Sequence, residues 1–283
     1  QTSPASPSLS GEKTLALGLT MESSERLHNT TPGPMDLKDL DIVGKQVLVM
    51  GLGRFGGGVD VAAFAAAQGA CVTVTDLARV ETLEDSLEQL NAFAGIRYCL
   101  GHHDPDDFLA AHMIVVNPAV PQDNDYLELA RNQGAHITTQ INLFLALCPA
   151  SVIGITGANG KSTTTALCAH LLNAGTQAKL IPHRKVWLGG NIGNRPLLSC
   201  LAEMQSSDLV VLELSSFQTD ALDQIKRGPK LSLLTNLTPN HLDRHGTFAN
   251  YCAAKEKLFQ SQPLDRDDPA VSVFCADDPI GQE

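Results

Sequence analysis

The sequence predicts an α/β protein built on two parallel sheets, and three observations carry that prediction. Short apolar runs alternate with helix-length segments along the chain. The alternation comes in two series, one starting near residue 46 and the other near residue 151. Each series opens as strand, glycine turn and helix, an arrangement that presents backbone N–H groups to an anion.

In the first series Gln46–Met50 (QVLVM) is a buried-strand run and Asp60–Gln68 is Ala-rich and helical. Cys71–Thr75 (CVTVT) is the next strand, ending at Asp76. A helix over 80–93, a strand near 96–100 and the apolar strand 112–116 continue the alternation. In the second series Ser151–Ile155 is a strand, followed by a helix over 161–173 and strands near 179–181 and 208–213. A strand over 230–236, a helix over 248–260 and a strand over 270–275 complete it. The division falls near Cys148-Pro149, giving domains at 35–149 and 150–283. The first 34 residues are rich in Ser, Thr and Pro without sustained apolar periodicity. They read as a disordered or spurious leader, with Met35 as a natural beginning.

Bulk properties narrow the function. A chain of 283 residues has room for roughly two domains at about 100–200 residues each. The net charge of −11 argues against nucleic acid as the main partner, but leaves small anionic substrates open. No apolar run reaches the roughly 18 residues of a membrane span, and no secretory signal is visible. The seven cysteines include no C-x-x-C pair and read as reduced core residues of a cytosolic protein.

Two glycine turns carry the chemistry. Gly51-Leu52-Gly53-Arg54-Phe55-Gly56 lets a phosphate approach a helix N-terminus, and Asp76, at the end of the next strand, is placed to bond a ribose hydroxyl. NAD and a nucleotide diphosphate both fit that geometry, although Arg54 and Phe55 are bulky for a tightly docked dinucleotide. In the second turn Gly157-Ala158-Asn159-Gly160 can expose successive N–H groups ahead of a helix. Lys161 supplies a point charge for terminal phosphates, and Ser162 or Thr163 offers a hydroxyl to magnesium. The usual G-x-x-x-x-G-K-[ST] spacing is broken, since Ile155 stands where the first glycine belongs.

Later strand ends add polar groups. Glu213 closes the apolar run DLVVLE, where a buried carboxylate is costly unless it meets a cation. The loop from Asn236 to His245 (NLTPNHLDRH) concentrates His241 and His245 with other polar residues. Lys255 and Lys257 read as a solvated helix face, and composition cannot separate them. Gly189–Asn194 is a further glycine loop, His102-His103 reads as solvated loop, and Asp265–Asp268 as charged surface.

Together TGANGKST, GGNIG, ELSSFQ, the N-x-T-x-[ND]-H-x-D-R-H pattern and Y-x-x-A-K resemble the Mur ligase family, in order and spacing, from about Met35 onward. The resemblance implies a Rossmann-like parallel-sheet domain that binds the UDP substrate, then a P-loop-type central ATPase domain. A glycine turn of the G-L-G-x-x-G kind resembles the D-glutamate-adding branch. That branch implies a cytoplasmic bacterial ligase of peptidoglycan precursor synthesis. It would use ATP and Mg2+ to join D-glutamate to UDP-N-acetylmuramoyl-L-alanine through an acyl phosphate. A monomer is expected, with no nucleic-acid or membrane partner.

The resemblance also assigns residues. Lys161 would stabilise the transferring phosphoryl group, with Gly157, Ala158, Asn159, Gly160, Ser162, Thr163 and Asn236 around ATP. Ser162, Glu213, His241 and a carbamylated Lys255 would serve the metal. Gly51, Gly53, Arg54, Phe55, Gly56, Asp76, Asn117 and Ala119 would hold the UDP part, which points away from NAD. Asn191, Ser215 and Gln218 would line the muramoyl-alanine side. Ala119 departs from the glycine of the family's uridine loop, and Asn142 stands where an acid is common. The family's third domain, which binds D-glutamate, is not expected in this chain, so nucleotide binding without turnover is the expectation. A sister ligase adding another amino acid, an NAD-dependent oxidoreductase and a non-catalytic nucleotide-binding protein are the alternatives.

Overall fold

The computed structural model describes residues 40–278, apart from 54, 55, 122, 194, 223, 224 and 226. The leader expected over 1–34 and the UDP-site assignments of Arg54 and Phe55 fall outside the described residues. Two five-stranded parallel sheets form the scaffold. The first holds β1 (Gln46–Met50), β2 (Cys71–Asp76), β3 (Arg97–Leu100), β4 (Met113–Val116) and β5 (His136–Thr138), in the order β3-β2-β1-β4-β5. The second holds β6 (Ser151–Thr156), β7 (Val186–Gly190), β8 (Leu209–Glu213), β9 (Leu231–Leu234) and β10 (Val271–Val273), ordered β10-β9-β6-β8-β7.

In both sheets the strand that opens the series lies at the centre; the first sheet builds outward from β1 on each side, whereas in the second the chain passes to the edge as β7 and returns to place β8 beside β6. The crevices at the carboxyl ends therefore open beside β1 and β6, where ligands bind in such sheets. β1 shows why a parallel strand reads as a continuous apolar run. Val47 and Val49 pack into one buried cluster, while Leu48 and Met50 pack into another on the opposite face. β8 repeats the pattern, with Val210 and Leu212 on one side and Leu209 and Val211 on the other. Each such side chain contributes roughly 1.5–3 kcal/mol by leaving water.

The cluster containing Val47 and Val49 also contains Val210 and Leu212, with Leu197, Leu198 and Leu201 beside them, so one apolar core runs between the sheets. Polar bonds cross the same junction. Asp60, on α1 (Gly57–Ala67), is buried and accepts from the N–H groups of Leu197, Leu198 and Ser199 at 2.8, 2.9 and 3.0 Å. The Ser199 hydroxyl at 2.6 Å and the Gln140 amide at 2.7 Å complete its shell. Asn142 is buried and donates to the Ala221 carbonyl at 2.8 Å, so an amide at this position supplies a donor that an ionised acid would lack.

Several expectations are corrected. Residues 179–181 form no strand; Lys179 has φ 57°, and the edge strand is β7 instead. The helix over 161–173 runs on to Gln177 as α6 (Lys161–Gln177), whereas the one over 80–93 stops at Glu88 as α2 (Val80–Glu88). In the first series, three helices and one strand escape the periodicity reading: α3 (Pro105–Ala110), α4 (Asp125–Asn132), α5 (Gln140–Leu147) and β5. All three helices carry capping signals: Asp104, Asn124 and Thr139 each accept a backbone N–H from the first turn. All seven cysteines are free thiols, but Cys71 and Cys275 are exposed rather than core. His103 is packed rather than solvated, with its ring against Phe108 and Tyr126 and its Nδ1 2.7 Å from the Thr75 hydroxyl.

Candidate active site

The carboxyl end of β6 leads through Gly157 and Gly160 into α6, as the glycine spacing requires. Gly157 has φ 145°, and a Cβ there would collide with the Thr235 hydroxyl. That closeness comes from a clamp between the loop and the segment after β9. Ala158 N–H donates to the Asn236 carbonyl at 2.9 Å, and Asn159 N–H to Asn236 Oδ1 at 3.0 Å. The Asn159 carbonyl accepts from Thr235 Oγ1 at 2.7 Å and Asn236 Nδ2 at 3.0 Å, while its amide donates to Thr238 Oγ1 at 3.2 Å. Asn236 thus shapes the loop from behind. Lys161 folds over it, with Nζ donating to the Ala158 carbonyl at 3.0 Å. Ser162 and Thr163 lie in the first turn of α6, where helical N–H groups have no partner within the helix and the dipole favours an anion.

Glu213 ends β8 directly beside this loop, in register with Ile155 of β6 and Gly190 of β7. Its carboxylate is buried; Oε1 accepts from Asn191 Nδ2 at 3.1 Å, and Oε2 has no hydrogen-bond partner among the described residues. Ser215 and Gln218 form a capping box at the start of α7 (Ser216–Thr219). Gln218 Oε1 accepts from Ser215 N–H and Oγ at 3.0 and 3.1 Å, so both side chains already have a local structural role.

His241 precedes α8 (Leu242–His245) in the left-handed region, with φ 50°. Its exposed ring lies 5.1 Å from Phe217. His245 stacks on the same phenyl ring at 5.5 Å and meets Ser216 Oγ at 3.0 Å; burial lowers its pKa. Lys255, on α9 (Phe248–Gln260), corrects the solvated-face reading. It is 2% exposed, whereas Lys257 faces outward to Asp220. Lys255 Nζ donates to Thr156 Oγ1 at 3.1 Å and lies 4.8 Å from the Tyr251 ring centroid. Desolvation, with the nearby Lys161 charge, pulls its pKa down to about 7.

The second crevice lies at the carboxyl ends of β1 and β4. Gly51, Gly53 and Gly56 all have positive φ, and Gly56 caps α1. Asp76 bonds the turn itself: Oδ2 accepts from Gly53 N–H at 3.2 Å and Oδ1 from Ala78 N–H at 2.8 Å. Asn117 bridges the two walls, donating to the Gly51 carbonyl at 3.3 Å and accepting from Ala119 N–H at 3.0 Å. Ala119 is not among the residues with positive φ, so replacing glycine there brings no left-handed strain. Sequence reasoning missed Thr156, Thr235 and Arg244, whose partners are remote in sequence. It also missed Asp60, for which a lone acid within GGVDVAAFAAA was a signal.

Two family models match the chain: "Mur ligase MurD-like, N-terminal domain" over residues 45–139 and "Mur ligase middle domain" over 155–283. Among curated relatives, the UDP-N-acetylmuramoylalanine--D-glutamate ligase of Roseiflexus sp. (strain RS-1) is 42% identical over 241 residues, 85% of this chain and 49% of that protein. The protein of the same name from Koribacter versatilis (strain Ellin345) is 42% identical over 224 residues, 79% of this chain and 46% of its own. The chain therefore spans about half the length of the curated relatives it matches. Among solved structures, the UDP-N-acetylmuramate:L-alanyl-gamma-D-glutamyl-meso-diaminopimelate ligase from Neisseria meningitides has a similar fold, with TM-score 0.56 and 20% identity, covering 85% of this chain and 74% of that one. With its first and second sheets each matched by a model of the same family, the chain belongs to the Mur ligases.

Proposed function

We propose that this chain carries the UDP-substrate and ATP-handling parts of an amide ligase that joins D-glutamate to UDP-N-acetylmuramoyl-L-alanine. Residues 35–149 would form the substrate domain and 150–283 the ATP domain. The observation that carries this reading is the meeting of Lys161, Glu213 and the buried Lys255 around one phosphate-type loop, which an NAD-dependent oxidoreductase would leave unexplained. The D-glutamate-adding relatives and the MurD-like first domain favour that amino acid over a sister ligase's substrate.

The residues present suit a divalent cation. Glu213 Oε2 is buried without a hydrogen-bond partner among the described residues, a costly state that a cation relieves. No three His, Cys, Asp or Glu side chains among the described residues form a metal-holding group. Holding magnesium would therefore draw on Glu213, His241, the Ser162 hydroxyl and a carbamate on Lys255, together with the phosphates. When bound, magnesium would neutralise charge on the transferring phosphoryl group.

The chain's own groups then have separable tasks. The Ala158 and Asn159 N–H groups are taken by Asn236, so the N–H groups from Gly160 into the first turn of α6 would orient the phosphates, and Lys161 would meet the charge that develops as the γ-phosphoryl moves to the substrate carboxylate. Phosphate leaves when the D-glutamate amine attacks the resulting acyl phosphate. Asn191, bonded to Glu213, would face the carboxylate-bearing end of the substrate. The Gly51–Gly56 turn, Asp76, Asn117 and Ala119 would hold the UDP end. No helix among the described residues is long and apolar enough to cross a membrane, and a cytoplasmic monomer fits the proposed soluble substrates.

Phosphate release by protein of the relatives' full length, supplied with UDP-N-acetylmuramoyl-L-alanine, ATP and a panel of amino acids, tests the reading. D-Glutamate-dependent release is expected; release dependent on another amino acid alone would reassign it to a sister ligase.

A further inference from the structure

We propose that Arg244, which belongs to the phosphate-loop sheet, is a positioning residue for the UDP crevice of the other sheet. The proposal rests on the crevice reading given above. Arg244 lies on α8, and its guanidinium reaches across the junction to three successive carbonyls. Nη2 donates to Val120 O at 2.7 Å and, more weakly, to Pro118 O at 3.5 Å, while Nη1 donates to Ala119 O at 3.1 Å.

The loop is folded to receive it. Ala119 N–H turns inward to Asn117 Oδ1 at 3.0 Å and Val120 N–H to the Asn117 carbonyl at 2.9 Å. The carbonyls of 118–120 thereby converge on one cation, and their dipoles would repel one another without it. Asn117 passes the constraint to the opposite wall through its bond to the Gly51 carbonyl. The wall of the crevice is thus set from the neighbouring domain.

Arg244 is itself well held. Its guanidinium carbon lies 5.7 Å from the centroid of Phe217, the ring on which His245 stacks. Asn250 Nδ2 donates to the His245 carbonyl at 2.9 Å, tying α8 to α9. The segment that ends in α8 begins at Asn236 and Thr238, which clamp the phosphate loop through Asn159. One stretch of ten residues, 236–245, therefore touches both crevices. A lysine cannot reproduce the arrangement, because an ammonium is a point donor whereas guanidinium is a planar fork.

Isothermal titration of the 283-residue chain with UDP, and separately with Mg·ADP, tests the proposal on Arg244→Ala, Arg244→Lys and Arg244→Gln. UDP affinity is expected to fall about tenfold or more in Arg244→Ala, as loss of charge-assisted hydrogen bonds implies, with a smaller loss in Arg244→Lys. Mg·ADP affinity should stay within about twofold, since the phosphate loop keeps its own clamp. Hydrogen exchange should quicken at Asn117, Ala119 and Val120 and stay slow in β6. Unchanged UDP binding and unchanged exchange in any folded variant would overturn the role, as would equal losses for both nucleotides, which mark a general structural clamp. Failure of the wild-type chain to bind UDP would instead overturn the crevice reading, and the positioning role with it.

Discussion

Lys255 Nζ donates to Thr156 Oγ1 at 3.1 Å, although the two residues stand 99 positions apart. The Thr156 hydroxyl donates onward to the Leu214 carbonyl at 2.8 Å, leaving its lone pair for the amine. The contact joins the end of β6, the start of the phosphate loop and α9, and it places a lysine where water cannot solvate it. Desolvation, reinforced by Lys161, holds the pKa at about 7 against 10.5 for a free lysine.

Stability should therefore rise with pH between about 7 and 10.5, because in that window the unfolded chain carries a proton that the folded chain has lost. The contribution is at most about 1.4 kcal/mol per pH unit, and it vanishes below the folded pKa and above the unfolded one. Urea unfolding at pH 7, 8 and 9 should show this slope in the wild type and a flatter one in Lys255→Met. Identical slopes would show that Lys255 is charged in the fold.

An amine that is substantially neutral near pH 7 is the form that adds carbon dioxide. Incubation with 13C-labelled bicarbonate should yield a carbamate carbon resonance in the wild type that Lys255→Ala lacks. A resonance of equal intensity in the variant would place the modification elsewhere.

Glu213 offers a buried oxygen with no hydrogen-bond partner among the described residues. Glu213→Gln keeps the shape and the Asn191 contact but removes the charge. Manganese affinity in the presence of ADP, read by electron paramagnetic resonance, should fall about tenfold or more, the usual cost of losing a charged ligand contact. Wild-type affinity in Glu213→Gln would remove the carboxylate from the cation site.

The two loop glycines should respond differently to alanine. At Gly157 a new Cβ meets the Thr235 hydroxyl and the Asn236 backbone, so Gly157→Ala should break the clamp and abolish ADP binding. At Gly160 nothing lies within 4 Å, and the cost is backbone strain at φ 80°, about 1 kcal/mol. Thermal unfolding and ADP titration of both variants separate the two causes, and equal losses would contradict the steric argument.

Asp60 gathers three backbone amides, a hydroxyl and a side-chain amide from both sides of the junction. Asp60→Ala leaves those donors buried and unpaired, so it should cost about 3 kcal/mol or more. Asp60→Asn should cost less, since one oxygen still accepts. A loss under about 1 kcal/mol by urea unfolding of Asp60→Ala would show that water replaces the carboxylate.

Much of the fold was legible because both faces of β1 and β8 are buried, which makes each strand a continuous apolar run. β7 was missed for the opposite reason. Its closing residues, Gly189 and Gly190, are poor strand formers and read as a turn. Only the packed sheet explains them: a side chain at Gly190 would run into the Glu213 carbonyl, and one at Gly189 into Leu197. β5 is a three-residue edge strand, too short to show a period.

The sequence alone determined where strand, glycine turn and helix follow one another, and hence both glycine turns, since those depend on local sterics a few residues apart. Tertiary structure alone decided which of Lys255 and Lys257 is buried, that Ser215 and Gln218 close on each other, and that Arg244 reaches the other crevice. Those outcomes depend on desolvation and on carbonyls brought in from distant segments, and neither quantity is written in the spacing of neighbouring residues.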